Sequence, residues 1–226
     1  MQTILKNGLT AAKKNIGPGL LLQSFALTLV LLYYFHAPTH QWLLKIPEIR
    51  RQMGISFPVL TAALTGGLIP FLFMVIRRDL APGRYGANLL FMLGFWGLNG
   101  LIVSLFYEGQ AALFGNGIDA LTILKKVCMD QFVYNPVWAV PFSVLGMHWK
   151  HCDFSFRTAK ARFSRIQFTR DLISVLLATW TVWIPTVAIM YSLPLALQFP
   201  LVCIVSCFWS LLLTTLSSPR KSGEEK

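Results

Sequence analysis

Charged side chains are scarce in this chain. Asp, Glu, Lys and Arg make up 13% of its 226 residues, whereas a soluble domain carries about 25%. Hydrophobic residues account for 55%, and the mean hydropathy is +0.58. Apolar runs of about 20 residues without a charge are typical of transmembrane helices. The composition therefore excludes an ordinary soluble domain and predicts an integral membrane protein.

Acidic residues are scarcer than basic ones, with 9 Asp+Glu against 20 Lys+Arg and a net charge of +11. The basic residues lie between the apolar runs, so the predicted partners are anionic lipid headgroups and not nucleic acid. The loop Met147–Asp171 is the most basic segment, above all over residues 150–170, and its Lys and Arg alternate with phenylalanines. This pattern fits either a helix lying on the headgroups or a solvated basic loop.

Cysteines are few, and sets of catalytic or metal-binding residues are missing. Three of the four cysteines, Cys128, Cys203 and Cys207, lie in apolar runs and are typical of small buried side chains. The His, Cys and Asp residues within 148–153 lack a second pair of ligands, so neither a metal site nor a cofactor is predicted. The sequence has no phosphate-binding loop, nucleophile elbow or H-E-x-x-H motif. We therefore do not expect an enzyme.

Six apolar runs of 19 to 24 residues each predict six membrane-spanning helices. They are Gly17–Phe35, Ile55–Ile76, Ala87–Tyr107, Val127–Met147, Leu172–Met190 and Leu193–Leu216. No alternating strand pattern is present, so the predicted fold is an all-α polytopic bundle in one domain, residues 17–216. A basic segment, 1–16, precedes the domain, and a polar tail, 217–226, follows it.

The distribution of basic residues predicts how the helices are oriented. With six spans, both termini share one side of the membrane with the loops around Arg77–Arg84 and Lys150–Arg170. That side holds 15 of the 20 Lys and Arg residues, and the other side holds 5. The positive-inside rule then places both termini inside.

Asp130 is the single charged residue within the six spans. A carboxylate at the centre of a membrane helix costs about 2.5–3.5 kcal/mol on insertion scales, so it needs a partner, a proton or a water-filled cavity. Because Asp130 lies close to the start of its span, an ion pair with Lys126, one helical turn earlier, is also open.

Polar and amphipathic side chains accompany Asp130 along its helix. At 100° per residue, Asp130, Gln131, Tyr134, Asn135 and Trp138 share an arc of about 140°. Such an arc faces either a pore or cavity, or a polar seam with a neighbouring helix, and both readings remain open.

Glycine and proline mark the predicted packing and bending sites. Gly94, Gly97 and Gly100 lie one turn apart in the third span, which predicts close helix packing, as does the pair Ala62 and Gly66 in the second. Four prolines are expected to bend or break helices and to free backbone carbonyls. They are Pro136, Pro141, Pro185 and Pro194.

Several motifs from Gly97 to Ser217 together resemble the Mpv-seventeen/Pmp-twenty-two family of small integral membrane proteins. Gly100 is followed by Phe106-Tyr107, Asp130-Gln131 is followed by Pro136, and Leu193-Pro194 is followed by Trp209. The D-Q-x-x-x-x-P pattern is the most specific of these matches. The chain departs from the family at three places: Leu101 stands for a proline, Gln198 for an arginine, and Trp183-Ile184-Pro185 is out of register.

The resemblance implies a protein of the mitochondrial inner membrane, the peroxisomal membrane or the bacterial plasma membrane. Members of the family are usually drawn with four spans, and some are described as weakly selective channels for small solutes. The leading hypothesis is therefore a channel for small solutes or ions that is lined by the Asp130 arc. A homo-oligomer is one form that this channel could take. The alternatives are a scaffolding membrane protein, in which the arc is a helix–helix seam, and a proton-coupled carrier, in which Asp130 binds the proton.

Overall fold

The computed structural model describes residues 16–80 and 83–216, with the backbone alone at Pro18 and 209–216. Within these ranges every regular element is helical, in agreement with the predicted all-α class. The elements in chain order are α1 (Ile16–Phe35), α2 (Ala37–Leu43), α3 (Lys45–Met53), α4 (Ser56–Ala62), π1 (Ala63–Leu68), α5 (Ile69–Ile76), α6 (Tyr85–Phe114), α7 (Ala120–Met129), π2 (Asp130–Ala139), α8 (Val140–His151), α9 (Phe156–Arg162), α10 (Arg165–Tyr191) and α11 (Leu195–Leu216). The predicted segments before residue 16 and after residue 216, and the side chain of Trp209, lie outside this description.

Three helices are long and apolar enough to cross a membrane: Ser56–Ile76, Tyr85–Phe114 and Arg165–Tyr191. Within the described residues, a fourth span is found only if Gly19–Phe35 and Ala37–Met53, which are bent by 98° at the break between them, are taken together as one broken span. Leu195–Phe208 is a shorter apolar helix. These findings are consistent with an integral membrane protein built as a helical bundle.

Local sequence signals explain where the helices begin and end. Asp119 caps α7 by accepting a hydrogen bond from the backbone N–H of Thr122 at 3.0 Å. Ser155 and Ser164 cap α9 and α10 in the same way. Gly115 ends α6 with a φ of 83°, a left-handed conformation that favours glycine.

Two helices contain a π-helical stretch, and proline adjoins or interrupts both. Pro70 follows π1, whereas Pro136 lies inside π2 and Pro141 follows it. Proline has no N–H to donate and its ring clashes with the carbonyl four residues earlier, and a turn with i→i+5 hydrogen bonds accommodates both defects. The helices at Pro136 and Pro141 therefore continue with a widened turn.

The last two predicted spans are separate helices. α10 ends at Tyr191 and α11 begins at Leu195, with Pro194 in the turn between them. Pro185 lies within α10 and does not end it.

Close glycine packing joins α6 to the helix 56–76. A Cβ atom at Gly100 would lie 2.2 Å from Cβ of Ala62 and 2.5 Å from the carbonyl oxygen of Pro58. Gly97 faces Val59, with 3.3 Å to its Cγ1 from an added Cβ. Gly94 does not belong to this contact, because an added Cβ there meets nothing within 4 Å. A three-residue step rotates the helix by about 300°, so the face drifts by about 120° between Gly94 and Gly100.

Three contacts join the ends of the helices. The Tyr34 hydroxyl, near the end of α1, donates to the carbonyl of Ser192, between α10 and α11, at 2.6 Å. Arg50 of α3 forms an ion pair with Glu108 of α6. In the connections that follow α5 and α8, Arg84 pairs with Asp153 at 3.1 Å.

The main core lies where α1 packs against α10 and α11. Leu22 and Ala26 of α1, Val182 of α10 and Val205 of α11 are fully buried. Phe25 of α1 stacks on Phe208 of α11, with ring centroids 5.0 Å apart. This core joins α1 to α10 and α11. The polar residues of π2 face the other side of α10.

Candidate functional site

A partly enclosed cavity of about 260 Å³ lies between the helix 56–76, α6, the helix 120–151, α10 and α11. Four polar residues of π2 line it together, beside Ala139: Asp130, Gln131, Tyr134 and Asn135. Both π-helical stretches contribute to the wall, and such stretches are frequent at functional sites. We call this space the central cavity, and the four π2 residues the polar wall.

The Asp130 carboxylate is buried, with 6% of the residue exposed, and both of its oxygens accept hydrogen bonds. The Tyr191 hydroxyl donates to Oδ2 at 2.7 Å, and Nε2 of Gln131 donates to Oδ1 at 2.9 Å. The Tyr191 hydroxyl in turn accepts from Nε2 of Gln110 at 2.9 Å. Hydrogen bonds from α10 and from π2 itself therefore orient the carboxylate, and α6 acts on it only through the Tyr191 hydroxyl.

The network continues along π2. Nδ2 of Asn135 donates to Oε1 of Gln131 at 2.9 Å. The Trp180 indole N–H of α10 donates to the backbone carbonyl of Gln131 at 2.7 Å. In an i→i+5 pattern that carbonyl would pair with residue 136, a proline without an N–H. Trp180 therefore satisfies the acceptor that Pro136 leaves free, and the same bond ties α10 to the polar wall.

Tyr134 presents a polar atom without a protein partner. Its ring stacks on Phe106, with centroids 4.2 Å apart and an interplanar angle of 19°. Its hydroxyl is buried and makes no hydrogen bond within the described chain. A buried hydroxyl without a partner is costly, so water or a polar solute in the cavity is its expected partner.

The cavity lining contains one carboxylate and no Lys, Arg or His. The predicted ion pair between Lys126 and Asp130 does not form: within the described residues the Asp130 carboxylate is joined to Tyr191 and Gln131 instead. Lys126 is buried and its Nζ lies 6.0 Å from the centroid of the Tyr191 ring, so it meets the aromatic ring and not the carboxylate.

Trp138 lies outside the central cavity, contrary to the predicted arc. The residue is 39% exposed, and its ring stacks on Phe142 at 5.5 Å between centroids. The arc assumes 100° per residue, whereas the widened turns of π2 rotate by less. The angular error grows with distance from Asp130 and is largest at Trp138.

Tyr191, Gln110 and Trp180 are residues that the pattern of Asp130 alone does not reveal. They belong to other helices, 61, 20 and 50 positions away from Asp130 in sequence. One signal does point to the first two. If six spans alternate in direction, the third and fifth spans end on the side of the membrane where the fourth begins. Gln110 follows the end of the third span, Asp130 lies near the start of the fourth, and Tyr191 follows the end of the fifth. Polar residues at those three positions are therefore at similar depth.

The predicted basic loop, residues 147–171, contains the end of α8, the short helix α9 and the first turns of α10. His148 of this region bonds to the carbonyl of Ala159 through Nε2 at 3.0 Å, and the Trp149 ring stacks on Phe156 at 4.9 Å. Within residues 16–80 and 83–216, no group of three or more His, Cys, Asp or Glu side chains is arranged to hold a metal ion.

Comparisons with family models, with curated proteins and with solved structures find no match to this chain.

Proposed function

We propose that the protein is a weakly selective membrane channel for small polar solutes or cations, with the polar wall as its lining. The observation that carries the proposal is the central cavity itself, in which a single carboxylate and an unpartnered tyrosine hydroxyl face open space among five helices. A negative group without a basic residue in the same lining attracts cations. The resemblance of the D-Q-x-x-x-x-P motif to a family with channel members supports the same reading.

The size of the cavity limits the solute. About 260 Å³ is below the range of about 300–1,000 Å³ that is typical of sites for drug-sized molecules. The proposed solutes are therefore ions and small hydrophilic molecules. A wider passage would require a homo-oligomer, because the cavity between the five helices of one chain is only about 260 Å³.

We further propose six crossings, with both termini on the inner face. Three contacts support this order, because each joins residues that alternating crossings place on one side: Tyr34 with Ser192, Arg50 with Glu108, and Arg84 with Asp153. The 15 to 5 division of basic residues supports the inner position of the termini.

Anionic headgroups are the proposed lipid partners of residues 150–170. Phe156 and Phe163 are 76% and 46% exposed, and they neighbour the basic residues of α9. Exposed aromatic rings beside Lys and Arg favour contact with a membrane surface. The mitochondrial inner, peroxisomal and bacterial plasma membranes are the proposed locations.

The test is ion conductance of the purified protein in a planar bilayer, wild type beside Asp130→Asn. The substitution keeps the shape of the side chain and removes its charge, so discrete openings should persist with reduced preference for cations. Asp119→Asn is the matched control, because Asp119 caps α7 outside the cavity and asparagine is also a good cap. Equal cation selectivity in wild type and Asp130→Asn would contradict the assignment.

A structural role is the second candidate, favoured by the continuous hydrogen-bonded chain from Gln110 through Tyr191, Asp130 and Gln131 to Asn135. In that case folded, inserted protein gives a silent bilayer, and Asp130→Ala lowers thermal stability without any transport phenotype. A proton-coupled carrier gives a third pattern. Its uptake depends on a pH gradient and is lost in Asp130→Asn.

A further inference from the structure

A second pocket of about 500 Å³ adjoins the central cavity. It lies between α8, α9 and the first half of α10, and its rim carries His148, His151, Arg162 and Asp171. We call it the vestibule. Two residues line both spaces, Ser143 of α8 and Val175 of α10. The two spaces therefore share a wall made of small side chains.

The lining follows one face of each of these two helices without interruption. On α10 it runs from Trp183 and Thr179 in the central cavity, through Val175, to Asp171 and Gln167 in the vestibule. Each step of four residues turns a helix by only about 40°, so successive members of the row lie next to one another.

The matching face of α8 runs from Val140 through Ser143 to Met147 and His151. The lining is thus continuous in both walls of the groove between α8 and α10, and the two spaces meet at Ser143 and Val175.

At the opposite end of the central cavity, no lining residue within the described chain leads into a further pocket. The pocket beside Arg50 and Glu108 shares no lining residue with the central cavity. Between them lie the contact of Gly100 with Pro58 and Ala62, and the edge-to-face pair Phe57 and Phe199, with centroids 6.4 Å apart. The cavity is therefore asymmetric, with one wall of packed backbone and aromatic rings and one of two small side chains.

We infer that solutes enter the central cavity from the vestibule, and that Ser143 and Val175 form the constriction that sets the largest solute admitted. This inference rests on the proposed passage of solutes through the cavity. It adds a route, a direction and two residues that determine size selectivity. Because neither residue bonds or pairs with Asp130, their role is separable from that of the charge.

The first test measures access and does not depend on conductance. Single cysteines are placed at Ser143 or Val175 in a chain whose four native cysteines are replaced, and intact vesicles are treated with a charged, membrane-impermeant thiol reagent. Arg157→Cys on α9 and Arg51→Cys on α3 report which face the reagent reaches, because both positions are exposed. Val182→Cys, fully buried in the core, is the unreactive control.

Ser143→Cys and Val175→Cys should react from the face that labels Arg157→Cys, and not from the face that labels Arg51→Cys. Labelling from the Arg51 face alone, or no labelling while Arg157→Cys reacts, would overturn the inference.

The second test measures solute size. Ser143→Trp should abolish passage of the largest permeant solute and reduce passage of the smallest, whereas Leu145→Trp should leave both unchanged. Leu145 lies on the same helix but is 46% exposed on its outer face. A Ser143→Trp protein that passes every solute like Leu145→Trp would refute the constriction. Wild-type protein that passes no solute would refute the proposed function instead, while the cysteine labelling would still decide the route.

Discussion

The two π-helical stretches, π1 and π2, both line the central cavity, yet they shape their surroundings in opposite ways. In π1 the wide turn carries Gly66 and Gly67, against which the Trp96 ring and the backbone of Met92 pack closely. In π2 the wide turn carries Asp130, Gln131 and Asn135, which bond to one another and to Tyr191. The same kind of widened turn thus lies in a closely packed seam between the helix 56–76 and α6 on one side, and in the polar wall on the other. The side chains decide which result follows.

The seam between the helix 56–76 and α6, which includes π1 and the contact of Gly100 with α4, should be the more sensitive of the two regions to a single added methyl group. Gly100→Ala places a Cβ within 2.5 Å of the Pro58 carbonyl oxygen, so the helices must separate. Overpacking of this kind costs about 1–3 kcal/mol, and we expect the upper end because the obstacle is backbone. Thermal unfolding in detergent measures the loss.

Gly94→Ala is the control for that substitution, because the space around Gly94 is open. It should leave stability unchanged or raise it slightly, since alanine favours a helix interior over glycine. Equal melting temperatures for the two variants would show that the contact at Gly100 is no tighter than the open space at Gly94. The seam would then not differ from the polar wall in its close packing.

Removing a hydroxyl that bonds to the polar wall should lower the free energy of unfolding less than adding a methyl group in the seam. Tyr191→Phe removes the group that joins Gln110 to the Asp130 carboxylate. Leaving those groups unpaired in a dry site costs about 1–3 kcal/mol, and water admitted to the cavity reduces the cost to the lower end. We therefore expect a loss of about 1 kcal/mol on the same assay.

Tyr34→Phe provides the comparison for Tyr191→Phe, because the Tyr34 hydroxyl donates to Ser192 at an exposed position. Tyr34→Phe should therefore lower the stability of the protein less than Tyr191→Phe does. A destabilisation by Tyr191→Phe that exceeds that of Gly100→Ala would indicate a dry, structural wall and favour the scaffold reading.

The smallest expected effect concerns Asp119, the exposed acid on the helix that leads to Asp130. Hydrogen bonds from Thr122 lower the pKa of Asp119 below its ordinary value of 3.8. A lowered pKa stabilises the fold above pH 3.8, and the contribution is lost as the pH falls through the folded-state value. The melting temperature of wild type should exceed that of Asp119→Asn slightly at neutral pH. The difference should fade below pH 3.8, and a constant difference down to acidic pH would contradict this assignment.

Hydropathy predicts the apolar part of each long helix, but α6 ends seven residues beyond the predicted Tyr107, and the helices that begin at Ala120 and Arg165 start seven residues before their predicted spans. The helices between 37 and 53 are too polar for hydropathy to predict. Periodicity and hydropathy also predict that Asp130, Gln131, Tyr134 and Asn135 lie together. Polar side chains within an apolar span avoid lipid, and these four lie on one side of the helix, so they face the same interior space. The position of Trp138 is predicted wrongly, because a regular 100° step does not anticipate a widened turn.

The partners of Asp130 on other helices cannot be predicted from the periodicity of its own helix. They depend on which residues of the neighbouring helices lie at the same level along the bundle. Tyr191 and Gln110 approach Asp130 only because three helices end or begin at one level. The exclusion of Gly94 from the seam, in contrast, follows from the spacing itself, because two steps of three residues turn the helix by about 120° away from the face of Gly100.

The Tyr191 bond to Asp130 also has a consequence for how the protein is made. The two residues are 61 positions apart, and α1 meets its partner α10 through Gln23 and Val182, which are 159 positions apart. During synthesis the ribosome delivers α1 and the Asp130 helix to the membrane long before α10. Until then the carboxylate lies in the bilayer or the translocon without its tyrosine. Early intermediates must therefore be shielded or held back from release, and a chain stopped before α10 is expected to be a substrate for membrane quality control.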